Sequence, residues 1–130
     1  MIKDAQRVLV IDDEPDLVKM IKARLEANQF NVITASDGVE GLVVARNERP
    51  DVIIVDVLMP NLDGRSFVKE LKQTDEIKAT PVIVISAREA VGELFENEDI
   101  EHFLPKPFES EELVQKVKEA IAGIDPIEYS

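Results

Sequence analysis

No cysteine occurs in the 130 residues, which excludes disulfides and thiolate metal sites. No apolar run approaches the ~20 residues that a membrane-spanning helix needs. The N-terminus, MIKDAQR, has no apolar core behind its charges, so no signal peptide is expected. Basic residues are scarce. Lys and Arg number 15 against 27 Asp and Glu, a formal net charge of −12. Nucleic-acid phosphates are held by clusters of Lys and Arg, so binding of nucleic acid by this chain alone is not expected. There is no internal repeat, no low-complexity segment and no Gly-rich loop behind the first apolar run. A cytoplasmic domain with no membrane association is the reading these absences leave.

What is present is an ordinary globular balance of 45% hydrophobic and 32% charged residues, enough for one domain with its own core. The chain is organised around DVIIVDVLMP, residues 51–60. Val52 to Val55 are four β-branched apolar residues in a row, the mark of a strand buried on both faces. They run into Asp56, whose charge is costly to bury unless paired. Asp56 therefore belongs where the strand surfaces, at its carboxyl end. The design recurs twice: Val8 to Ile11 run into Asp12 and Asp13, and Val82 to Ile85 run into Ser86.

Helical patterns alternate with these strands. Pro15 suits a first turn, and Leu17, Val18, Ile21 and Leu25 form one apolar face. Phe30 to Ala35 reads as a second strand. Asp37 caps a helix with an expected apolar face of Val39, Leu42 and Val43, ended by Pro50. Phe67, Val68 and Leu71 mark a third helix after the turn cluster 60–64. The stretch 88–101 is weakly helical, contains Gly92, and carries six acidic and no basic residues from Glu89 to Glu101. It is expected to be the least stable helix. His102 to Leu104 reads as an edge strand beside Pro105, with the lone His102 on its exposed face. Ser110 is the expected cap of the last helix, built on Leu113, Val114, Val117 and Ile121, with Gly123 closing it. Residues 1–124 form the domain; residues 125–130 read as a tail or the start of a linker.

Five strand–helix alternations predict an α/β fold with a parallel sheet and right-handed crossovers. The expected form is a flavodoxin-like (βα)5 three-layer sandwich with strand order 2-1-3-4-5. Ligands of such folds bind outside the carboxyl ends of the strands, where the order reverses between strands 1 and 3. Asp12, Asp13, Asp56, Ser86 and Lys106 converge there. Three clustered carboxylates stay ionised only beside a cation, and an all-oxygen set favours Mg²⁺ or Mn²⁺. A carboxylate beside such an ion and Lys106 can act as a nucleophile toward phosphorus. Each residue alone is a weak signal: an acidic pair after a strand often only starts a helix, and Asp56 alone would suit an N-cap. The combination at successive strand ends carries the reading.

The pieces VLVIDDEPDL, DVIIVDVLMPNLDG, PVIVISA and FLPKPF resemble the receiver domain of two-component response regulators over nearly the whole chain. The resemblance implies that Asp56 accepts a phosphoryl group from a phosphohistidine of a sensor kinase or phosphotransfer protein. It implies that Asp13, Asp56 and the Leu58 backbone carbonyl bind Mg²⁺ directly, with Asp12 acting through water. Lys106 and the Ala87 backbone N–H would hold the phosphoryl group. Ser86 and Phe103 would be the switch residues, and the Lys106–Pro107 bond would be cis. The output would be a changed protein-binding surface on the fourth helix, fifth strand and last helix, engaging a downstream protein or a second phosphorylated copy. Leu58 can neither orient nor deprotonate a water, and Arg88 has no acceptor. Both are therefore expected to slow loss of the phosphoryl group. An Mg²⁺-dependent phosphohydrolase with an aspartyl nucleophile is the rival reading. Leu58 stands where such enzymes usually carry a second, acid–base Asp. A flavin or nucleotide binder on the same fold lacks its Gly-rich loop.

Overall fold

The computed structural model describes residues 5–57, 63–87 and 102–123, and of Arg65, Ser86 and Ala87 only the backbone. Five parallel strands form one sheet in the order β2-β1-β3-β4-β5. They are β1 (Arg7–Ile11), β2 (Asn31–Ala35), β3 (Val52–Asp56), β4 (Val82–Ala87) and β5 (His102–Lys106). The described helices are α1 (Pro15–Ala27), α2 (Gly38–Glu48), α3 (Gly64–Lys72) and, last in the chain, α4 (Ser110–Ala122). The expected helix in 88–101 and the tail 125–130 lie outside the described residues.

Side chains of successive strand residues point to opposite faces, and here both faces are covered. Val8, Val10, Val52, Ile54, Ile83 and Ile85 meet Ile21 and Leu25 of α1 and Leu113 and Val117 of α4. Leu9, Ile11, Ile53, Val55, Val82 and Val84 meet Ala45 of α2 and Phe67, Val68 and Leu71 of α3. This is why the strands read as unbroken apolar runs rather than alternating ones. At the other end of the sheet, the Asp51 carboxylate accepts the Arg7 N–H at 2.8 Å. The Arg7 guanidinium pairs with Glu48.

Four local expectations are corrected. The buried positions of α2 are Gly38, Gly41 and Ala45, whereas Val39 and Val43 are 53% and 55% exposed. The helix lies so close to β1 that small residues must face the sheet. A Cβ on Gly41 would run into Ile11 Cδ1. Glu109, not Ser110, is the N-cap of α4. Its side chain accepts the Glu112 N–H while Glu112 accepts the Glu109 N–H, a reciprocal capping box. His102 is buried, at 2% exposure. It pairs with Ile83 in register, whose side chain lies on the face packed by α1 and α4. An edge strand has an open hydrogen-bonding side, but its faces can still be covered. Finally, β2 starts at Asn31, with Phe30 in the core before it, because Gln29 turns the chain through a left-handed φ of 68°.

Candidate functional site

Strand register assembles the site. Ile11 lies opposite Val55, so Asp12, one step on, comes level with Asp56. The Asp12 N–H donates to Ala35 O at 3.2 Å and the Val57 N–H to Ile85 O at 3.2 Å, which holds both strand ends just past their aspartates. Lys106 lies opposite Ala87, and Pro105 opposite Ser86. The Lys106 side chain reaches back to Asp56.

One oxygen from each of Asp12, Asp13 and Asp56 lies within 4.8 Å of the others. Asp12 and Asp56 are buried and Asp13 is exposed. Lys106 Nζ donates to Asp56 Oδ2 at 2.7 Å and stands 3.9 Å from Asp12 Oδ2. Asp12 Oδ1 accepts the Glu14 N–H at 2.9 Å, while its buried Oδ2 has no hydrogen-bond partner among the described residues. Burial pushes the Asp12 carboxyl up to about 6. The Glu14 N–H and the Lys106 charge pull it down, and the Asp56 charge pushes it further up. For Lys106, burial would lower the ammonium's pKa. The hydrogen bond and charge of Asp56, with the charges of Asp12 and Glu14, outweigh it and hold the pKa above its ordinary value. One lysine thus faces three carboxylates. The acidic cluster, the all-oxygen donors and an Asp12 oxygen with only a 3.9 Å ion-pair contact to Lys106 fit a hard divalent cation such as Mg²⁺.

Of the residues expected from sequence, Asp12, Asp13, Asp56 and Lys106 come together, and the backbones of Ser86 and Ala87 lie next to Lys106 in the sheet. The Lys106–Pro107 bond is cis. Phe103 pairs with Val84 and is 44% exposed. Leu58 and Arg88 lie outside the described residues. Two features escaped the sequence reading. Gly64 packs against the backbone of Asp56; the only signal was a glycine opening a helix. A groove of about 420 Å³ beside Lys106 is lined by Glu14, Leu17, Met20, Pro107 and Phe108. It joins residues far apart in the chain, and no local pattern marks it.

A parallel doubly wound sheet whose carboxyl ends bring an acidic cluster to a lysine defines a flavodoxin-like domain with a candidate cation site. The family can be stated more narrowly. Residues 8–118 match the model of the response regulator receiver domain, and the chain belongs to that family, the receiver domains of two-component signalling. It is 36% identical over 124 residues to the response regulator MprA of Mycobacterium sp. (strain KMS), covering 94% of this chain and 53% of that protein. The chain thus spans about half the length of the response regulators it matches in this way. Its structure is similar to chemotaxis response regulator CheY4 of Vibrio cholerae, with a TM-score of 0.82 and 32% identity over 89% of this chain and 98% of that one. It is also similar to the receiver domain of sensor histidine kinase PA1611 from Pseudomonas aeruginosa PAO1, with a TM-score of 0.84, 28% identity, and 91% and 98% coverage. That domain has a magnesium ion coordinated in its active site cleft. Among the described residues no helix is long and apolar enough to cross a membrane.

Proposed function

We propose that Asp56 is the phosphoacceptor and that the chain acts in the cytoplasm as a phosphorylation-driven switch. The observation that carries this is Lys106 Nζ 2.7 Å from Asp56 Oδ2, inside a cluster that also holds Asp12 and Asp13. An Asp56 oxygen attacks the phosphorus of a phosphohistidine. The new O–P bond forms as the P–N bond breaks, and the imidazole leaves with the electron pair and takes up a proton. Mg²⁺, held by Asp13, Asp56 and the Leu58 carbonyl, with Asp12 acting through water, would neutralise the carboxylates and the charge on the phosphoryl oxygens. The Lys106 ammonium exchanges a carboxylate oxygen for a phosphoryl oxygen, joined by the Ala87 N–H and the Ser86 hydroxyl. Ser86 moves toward the new dianion and Phe103 turns inward behind it, a two-state element biased by charge. The chain turns over only its own acyl phosphate, and Leu58 and Arg88 keep that turnover slow. The groove of Leu17, Met20, Pro107 and Phe108 beside Lys106 is where the sensor kinase or phosphotransfer protein docks. Output passes to a downstream protein or to a second phosphorylated copy.

The test is incubation with Mg²⁺ and phosphoramidate followed by intact-mass spectrometry. The wild type gains one phosphoryl group and Asp56→Asn gains none. Equal labelling of the two sinks the assignment.

A further inference from the structure

We propose that Gly64 is a positioning residue for the phosphoacceptor: it leaves the space in which the start of α3 rests on the peptide that follows Asp56. A Cβ at this position would stand 2.5 Å from the Asp56 carbonyl oxygen, 2.8 Å from Val57 Cα and 3.0 Å from the Asp56 carbonyl carbon. All three are backbone atoms, so none can swing aside by changing a rotamer. Gly64 is not there for its conformational freedom, since among the described glycines only Gly123 has a positive φ. Space alone excludes a side chain.

The contact is held from both sides. The Gly64 N–H donates to Val57 O at 2.8 Å, and the Val57 N–H donates to Ile85 O at 3.2 Å. The Asp56–Val57 segment is therefore held between β4 and the first turn of α3. That turn is fixed by the Asp63 cap, which accepts the Ser66 N–H at 2.8 Å, and by Phe67, Val68 and Leu71, all fully buried. An added methyl must displace either α3 from its core or the segment that carries Asp56. α3 and β3 are both anchored in the core, so the clash is relieved where they meet, at the Asp56–Val57 peptide, and the carboxylate leaves its alignment with Lys106. Small misplacements at a reacting group slow reactions strongly.

Gly41 provides the contrast. Its Cβ would meet Ile11 Cδ1 and lie 3.0 Å from Ile11 Cγ1 and 3.3 Å from Phe67 Cε2, all side-chain atoms, which can shift without moving the backbone at Asp56.

This inference rests on Asp56 being the phosphoacceptor, and the experiment separates the two. The maximal rate of labelling by phosphoramidate, at saturating Mg²⁺ and donor, is measured for wild type, Gly64→Ala and Gly41→Ala. Rates are expressed per folded molecule by circular dichroism. Gly64→Ala should be slower by about 10-fold or more, while Gly41→Ala stays within about twofold even where its Tm falls comparably. A labelled wild type with Gly64→Ala within twofold of it overturns the positioning role and leaves the phosphoacceptor reading standing. An unlabelled wild type overturns the phosphoacceptor reading itself. A second measurement needs no variant. In ¹⁵N-labelled wild type, the Gly64 amide resonance should shift when Asp56 is phosphorylated. An unmoved Gly64 amide beside a fully labelled Asp56 overturns the proposal, including where Gly64→Ala does not fold.

Discussion

Replacing Asp12 by Asn should stabilise the metal-free protein, by an amount that grows with pH. The Asp12 side chain is fully buried, its Oδ2 lacks a hydrogen-bond partner among the described residues, and Lys106 is shared with Asp56. Its pKa rises from 3.8 to about 6, chiefly through burial. A carboxyl whose pKa is raised on folding favours the fold while protonated. The stability is fully present below pH ~4 and is lost as pH rises through about 6. A shift of roughly two units corresponds to ~3 kcal/mol lost at pH 8 and about half of that at pH 5. Asn keeps the oxygen that accepts the Glu14 N–H and carries no charge at either pH. Urea unfolding in EDTA should therefore show Asp12→Asn ahead of wild type by ~1.5 kcal/mol at pH 5 and ~3 kcal/mol at pH 8. Added Mg²⁺ should close the gap, because the wild type gains more from the bound ion. An equal gap at both pH values, or a wild type more stable in EDTA at pH 8, would refute the claim that this carboxylate is held at a cost to the fold.

Lys106→Met acts in the opposite direction, removing the cation that, among the described residues, pairs with Asp12 and Asp56. Urea unfolding in EDTA at pH 8 should show a loss of ~1–3 kcal/mol, smaller than for a fully buried pair because Lys106 is partly exposed. Labelling by phosphoramidate should slow by about 100-fold or more, as when a charge-stabilising donor is removed. The caps give a paired test. Asp37→Ala removes the acceptor of the Glu40 N–H at 2.8 Å and should cost ~1 kcal/mol. Ser110→Ala should change stability by only a few tenths of a kcal/mol, about the propensity difference, because Glu109 is the cap. Thermal or urea unfolding of both decides it.

Residues 8–11, 52–55 and 82–85 determined the strands by themselves, because a short run of apolar, mostly β-branched residues without polar interruption has few other stable homes. Strict strand–helix alternation then required a parallel sheet. A lone aspartate at the end of a buried run can be ionised only where the strand surfaces, so Asp12 and Asp56 announced the end of the sheet that carries the site. Tertiary structure decided what depends on how closely elements approach. The α2 pattern pointed to Val39, Leu42 and Val43 as the buried face; Leu42 does pack against the core, but the helix sits so near β1 that Gly41 and Ala45, not Val39 and Val43, take the inside. His102 was expected outside because its strand is at the edge, yet its side of the strand shares the face covered by α4. Register alone brings Lys106 to Asp56, 50 residues away in the chain. Burial at the end of β1, with the Asp56 charge beside it, raises the Asp12 pKa to about 6 against the pull of the Glu14 N–H and Lys106. The space that reserves residue 64 for glycine exists only once α3 is seated on the Asp56–Val57 peptide, because it is a distance between two backbones.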